Sequence, residues 1–243
     1  MSCDLDRSRS TPLPPATALA ALIRREPAVS EHLRVVREHG ALRIATICSG
    51  TEAPIIALKL MQLPLHHLFS CEIEPVKQAY IYRNFAPDVL FRDVRDLGGK
   101  RAPDAWGVMH DVPNSDVDML VAGTSCVDFS KLNPRKKGIR DGGESGKTFE
   151  GMLAWVAVAL PRMVVLENVC GAPWDIICSS FELLGYKMET VQVDSKHYLV
   201  PQTRVRGYAI GFRTPTFGEW APILRSMAWP GAQPTLSSYI LPG

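Results

Sequence analysis

Cys126 follows an apolar run, residues 117–122, and the turn residue Gly123, and it stands among small polar residues. A basic loop comes next, with Lys131, Arg135, Lys136, Lys137 and Arg140. A buried strand that delivers a thiol into a cation-rich loop favours the thiolate, which is the nucleophilic form. The same residues would also suit a half-buried structural cysteine beside a solvated loop.

Two later segments weigh toward chemistry. Met163 to Val169 is another short apolar run, with a carboxylate, Glu167, and an amide, Asn168, at its end. In Gln202-Thr-Arg204-Val-Arg206 every second residue is polar and long, so an extended backbone would turn Gln202, Arg204 and Arg206 to one face. A thiol, a carboxylate and paired guanidinium groups at the tips of separate strands fit an open α/β sheet. Such sheets bind ligands outside the carboxyl ends of their strands.

Taken in order, these motifs resemble those of the DNA (cytosine-5) methyltransferases. The resemblance runs from about residue 43 to about residue 213 and begins with Ala45-Thr-Ile-Cys-Ser-Gly50-Thr-Glu-Ala-Pro54. It continues through Cys71-Glu72-Ile-Glu74, Arg92-Asp93-Val94, the Cys126 loop, Glu167-Asn168-Val169 and Gln202-x-Arg204-x-Arg206. The resemblance implies a cofactor, S-adenosylmethionine, and a substrate, cytosine in DNA. Cys126 would attack carbon 6 of the ring, and carbon 5 would then accept the methyl group. Glu167 would bond the ring nitrogen beside the exocyclic amine. Arg206 would hold the ring carbonyl oxygen, and Arg204 would brace the loop or a phosphate. Ser130, Lys131, Asn168 and Gln202 would complete the substrate side, Asn168 by bracing the cysteine loop. In duplex DNA the target base must leave the stack.

On the cofactor side the resemblance implies that Cys48, Ser49, Gly50 and Thr51 wrap the methionine end. Glu72 with Ile73 would hold the ribose, with Glu74 as a substitute carboxylate, and Asp93 with Val94 would meet the adenine. Several positions depart from the family pattern. Cys48 stands where an aromatic is usual, Gly50 is the one glycine of its loop, and Ser125 and Val127 replace the usual Pro and Gln around the nucleophile. The chain is thus a divergent member by sequence. The alternatives are a catalytically weak relative that acts as a cofactor-binding regulator or scaffold, and a tRNA cytosine-5 methyltransferase, since one branch acts on RNA.

The elements that must position these residues follow from the spacing. It predicts strands over 41–47, 67–71, 89–91, 117–122, 163–166, 188–194 and 206–212, the last two as a hairpin. Helices are expected over 52–61, 75–85, 149–160 and 176–184. Alternating strands and helices give an α/β fold: a doubly wound, mostly parallel sheet with helices on both faces. The resemblance makes it a Rossmann-like S-adenosylmethionine-dependent methyltransferase. Residues 1–40 read as a disordered tail followed by one or two helices, broken at Glu26-Pro27. Residues 41–213 read as the catalytic domain. Residues 214–243, Pro-rich with Trp220 and Trp229, read as the start of an incomplete target-recognition region. On that reading the chain folds as a catalytic core yet methylates DNA weakly.

A chain of 243 residues suffices for one α/β domain with a sizeable core. The net charge of +2 asks for no nucleic-acid partner, so basic character is local, in the loop after Cys126 and at Arg204 and Arg206. Cys3, Cys48, Cys71, Cys126, Cys170 and Cys178 form no C-x-x-C pair and no metal-ligand spacing, so no metal is expected. With no signal-like start and no apolar run of membrane-spanning length, the expected setting is intracellular, nuclear in a eukaryote and otherwise cytoplasmic.

Overall fold

The computed structural model describes residues 15–25, 30, 34, 37–38, 40–130, 133–135, 137–198, 200 and 202–213. The expected disordered tail, the Glu26-Pro27 break and the segment 214–243 lie outside the described residues. Helix α1 is Pro15–Arg25. Strand β1, Leu42–Ile47, leads into helix α2, Ala53–Leu60. Strand β2, Leu65–Cys71, leads into α3, Pro75–Asn84. Both helices carry proline in the first turn, where a missing backbone N–H costs nothing. Strand β3 is Val89–Phe91, followed by a single 3-10 turn, Val94–Asp96.

A short antiparallel pair comes next, β4 at Arg101–Pro103 and β5 at Met109–Asp111. Then follow β6, Met119–Ala122, the long helix α4, Glu144–Ala159, and β7, Met163–Asn168. Helix α5, Trp174–Glu182, precedes the hairpin of β8, Lys187–Asp194, and β9, Val205–Phe212.

The main sheet has seven strands in the order β3-β2-β1-β6-β7-β9-β8. The pairs from β3 to β7 are parallel, and β9 runs antiparallel to both β7 and β8. The fold is therefore a Rossmann-like, doubly wound and mostly parallel sheet. Its central strands are apolar because helices cover both faces: Ile44, Ala45, Ile47, Leu120, Val164 and Leu166 are all buried. Phe69 of β2 meets Phe91 and Trp155 edge-to-face, with ring centroids 5.4 and 5.1 Å away, and this aromatic group anchors α4 to the sheet. Leu160 ends α4 in a left-handed conformation, and Pro161 prevents its continuation.

The structure corrects several expectations. Helix α4 starts five residues before the expected Phe149, at Glu144. The reason lies far away in sequence. The buried Asp128 carboxylate accepts the Ser145 N–H at 2.7 Å, and Ser145 Oγ accepts the Asp128 N–H at 3.0 Å. That reciprocal cap turns Gly142-Gly143-Glu-Ser-Gly, a loop by composition, into a helix start. The β4–β5 pair was not expected at all. Strand β9 begins at Val205, one residue before the expected start, and of Gln202, Arg204 and Arg206 it includes Arg206 alone.

Candidate active site

Strand order reverses between β1 and β6. From β1 the chain winds outward through β2 and β3, and from β6 it winds the other way through β7. Crevices at such a switch point lie at the carboxyl ends of the strands. A cavity of about 380 Å³ opens there. Its walls come from the residues just past β1, β2, β3 and β6: Cys48 and Gly50, Glu72 and Ile73, Asp93 and Val94, Gly123, Ser125 and Val127. The expected cofactor residues are thus brought together, apart from Ser49 and Thr51, which are not on the wall. Ser49 turns its hydroxyl to Thr46 Oγ1 at 3.0 Å, and Thr51 is exposed.

Glu72 is buried and held by backbone. Its Oε2 accepts the Gly50 N–H at 2.8 Å and its Oε1 accepts the Glu74 N–H at 3.0 Å. Each carboxylate oxygen keeps a further lone pair for a ligand hydroxyl. Glu74, the substitute, pairs instead with Lys77 at 2.6 Å and is exposed. Asp93 binds the Arg95 guanidinium through both oxygens and caps the following 3-10 turn. That partner holds its carboxyl below the usual range, so Asp93 presents a negative charge. Burial, reinforced by Glu72, pushes the Cys48 thiol up to about 12, so this cavity thiol stays protonated. A volume near 380 Å³, a buried carboxylate with free lone pairs and a second carboxylate beside it fit a nucleoside ligand such as S-adenosylmethionine.

The cysteine loop begins where the cavity ends. Cys126 is half-buried between two wall residues, and its carbonyl accepts the N–H groups of Phe129 and Ser130 at 3.0 and 2.9 Å in a tight turn. A side-chain hydrogen bond ties the loop to β7: Asn168, buried, donates its amide to the Thr124 carbonyl at 3.1 Å. Glu167 Oε1 meets Arg206 Nε at 3.1 Å across the β7–β9 pair. Thiol loop, carboxylate and guanidinium therefore share one end of the sheet.

Other expected residues stand apart. Gln202 and Arg204 are exposed in the loop before β9; the Arg204 N–H bonds Asp194, and the Gln202 carbonyl accepts Ser195 Oγ at 2.5 Å. Lys131 lies outside the described residues, as does Lys136. Arg135, Lys137 and Arg140 are exposed. Sequence reasoning missed Lys77, Arg92, Glu144 and Thr148, which also line the cavity. Glu144 and Thr148 went unseen because the start of α4 was misread.

The family model of the C-5 cytosine-specific DNA methylases matches residues 42–227. The chain belongs to this family. A Cryptococcus neoformans protein named DNA (cytosine-5-)-methyltransferase DMT5 is 45% identical over 249 residues, covering 94% of this chain and 10% of that protein. The Verticillium dahliae protein of the same name is 32% identical over 300 residues, covering 93% of this chain and 13% of its own. The chain thus spans 10% and 13% of the length of these two curated relatives. Among solved structures, Schizosaccharomyces pombe Dnmt2 methyltransferase superposes with a TM-score of 0.52 at 19% identity, over 74% of this chain and 52% of its own. A Spodoptera frugiperda DNMT2 variant gives 0.53 at 15%, with the same coverage. These two share the fold. The cavity lies past β1, β2, β3 and β6, and the Glu167–Arg206 pair lies at the same end of the sheet on β7 and β9.

Proposed function

We propose that this domain methylates carbon 5 of cytosine in DNA, with S-adenosylmethionine bound against Glu72 and Asp93 and Cys126 as covalent nucleophile. One observation carries the reading: the Glu167–Arg206 pair at the tips of β7 and β9, next to Asn168, which holds Thr124 of the loop that bears Cys126. The cofactor would supply an electrophilic methyl group on a sulfonium. The chain's own residues do the rest. The Cys126 thiolate forms a bond to carbon 6, and the electron pair of the 5,6 double bond becomes available at carbon 5. Glu167 donates or shares a proton with the ring nitrogen next to the exocyclic amine, which offsets the negative charge that develops there. Arg206 offers guanidinium N–H groups to the ring carbonyl oxygen. After methylation a base takes the carbon-5 proton, the double bond re-forms and the thiolate leaves. Asn168 keeps the loop in position through Thr124.

The DNA grip would come from Arg135, Lys137 and Arg140, which are exposed beside the cysteine loop. Such phosphate contacts are blind to sequence and weaken with salt. DNA carrying 5-fluorocytosine tests the mechanism, because fluorine at carbon 5 cannot leave as a proton does and the adduct persists. A denaturation-resistant complex is expected with the wild-type chain, with Cys170→Ala and with Cys178→Ala, and none with Cys126→Ala. A complex that survives in Cys126→Ala would remove Cys126 from the mechanism.

A further inference from the structure

The loop from β1 to α2 has an unusual backbone. Cys48, Gly50 and Glu52 all take φ between 52° and 58°, the left-handed region that side chains rarely adopt. At Glu52 the strain has a visible restraint. The side chain is fully buried beneath the loop, and Oε1 accepts Thr46 Oγ1 of β1 at 2.8 Å and Ser70 Oγ of β2 at 2.7 Å. Ser49 Oγ donates in turn to Thr46 Oγ1 at 3.0 Å. His67 Nε2 closes the cluster, 3.3 Å from Thr46 Oγ1 and 3.2 Å from Ser70 Oγ. Because both hydroxyl protons are directed at Glu52, the imidazole is the donor at Nε2. Glu52 itself is not on the cavity wall, and no step of the proposed reaction uses it.

We infer that Glu52 is the positioning residue of the cofactor loop, its buried side chain fixing the strained turn that sets Gly50 against Glu72. The geometry gives the chain of cause. Glu52 ties the far end of the loop to β1 and β2. The Ser49 N–H ties its near end to the Cys71 carbonyl at 3.3 Å. Between these anchors, Gly50 can point its N–H at Glu72 Oε2, 2.8 Å away. That bond orients the carboxylate proposed to hold the ribose, and Gly50 and Cys48 form the wall beside it. Glycine at position 52 would remove the backbone strain but also the anchor, and the anchor is what matters here.

This inference rests on the cofactor reading above, and the experiment separates the two. S-adenosylmethionine affinity is measured by calorimetry for wild type, Glu52→Gln, Glu52→Ala and Glu52→Gly, and for Ser70→Ala, which removes one donor and leaves Glu52 in place. Amide hydrogen exchange over residues 48–53 is read on the same proteins without cofactor. Glu52→Gln, which keeps the accepting oxygen, should bind within about threefold of wild type. Glu52→Ala and Glu52→Gly should each lose about tenfold or more, and Ser70→Ala a smaller factor. Exchange should quicken in 48–53 for the Ala and Gly variants while β1 and β2 stay protected. A merely structural residue would instead lower the protection of the strands together with the loop. Glu52→Gly binding as tightly as wild type would overturn the inference, because backbone freedom alone would then suffice. A wild-type chain that binds no S-adenosylmethionine defeats the cofactor reading, and exchange then decides Glu52 by itself. Faster exchange confined to 48–53 upholds it, and unchanged exchange overturns it.

Discussion

Glu72 uses one lone pair of each oxygen on the protein itself, on the N–H groups of Gly50 and Glu74. Those two bonds fix the carboxylate plane before any ligand arrives, so the ribose diol of the proposed cofactor would meet a preorganised acceptor. Truncation removes two hydrogen bonds to a charged acceptor and frees the Gly50 loop. Glu72→Ala should therefore weaken S-adenosylmethionine binding about tenfold to a hundredfold, read by calorimetry. Affinity within twofold or so of wild type would mean the ribose is held elsewhere. Cys48 shows the opposite treatment of a polar group. It lines the same cavity, half-buried like Cys126, and its thiol is pushed up to about 12, so it stays protonated.

Helix α4 shows how an element shapes the site from outside it. At Gly151 the helix lies so close to the 3-10 turn that a Cβ would sit 2.8 Å from the Val94 carbonyl oxygen and 2.9 Å from Arg95 Cα. Both are backbone atoms, and Val94 is cavity wall. Gly151→Ala must push the helix or the wall outward. A stability loss of roughly 1–3 kcal/mol is expected in urea unfolding, together with weaker cofactor binding. A stable variant with unchanged affinity would show that helix and wall are not in rigid contact. Much of the element plan was legible in the sequence. β3 was expected at 89–91 and lies there, and apolar runs gave the central strands to within a few residues. Two features were not legible. The start of α4 depends on Asp128, sixteen residues upstream of Glu144, and a window of Gly, Glu and Ser carries no sign of that partner. The β4–β5 pair is too short for its alternation to stand out from a loop. At the site, Glu72, Asp93 and Glu167 stood out because strand ends leave a polar residue after an apolar run, and Arg206 because it alternates with Arg204 just before one. Gln202 and Arg204 lie in the exposed loop before β9, which alternation alone does not distinguish from strand.

The whole molecule carries a net charge of +2 on 27 basic and 25 acidic residues, so its response to pH depends on a few buried groups rather than on overall charge. The Glu52–His67 cluster is one such place, and it joins β1, β2 and α2, so it opens to water only when the sheet does. Burial, aided by nearby Lys59, lowers the His67 pKa to about 4, while Asp88 and the Phe69 backbone oppose that shift and His66 adds to it. An unfolded histidine titrates near 6.5. Between those values the unfolded chain binds a proton that the native chain refuses. Native stability should therefore fall as pH drops from about 6.5 and level off below about 4, by up to roughly 3 kcal/mol from this residue. Glu52 acts in the other sense. Burial raises its carboxyl above 4.5, so the native state keeps a proton that the unfolded chain releases. Its contribution is present at low pH and is lost as pH rises through the raised value. His67→Gln keeps a donor for Thr46 and Ser70 but cannot titrate. Urea midpoints measured from pH 7 to pH 4 should fall steeply for wild type and much less for His67→Gln. Parallel decline of the two would assign the acid response to other groups.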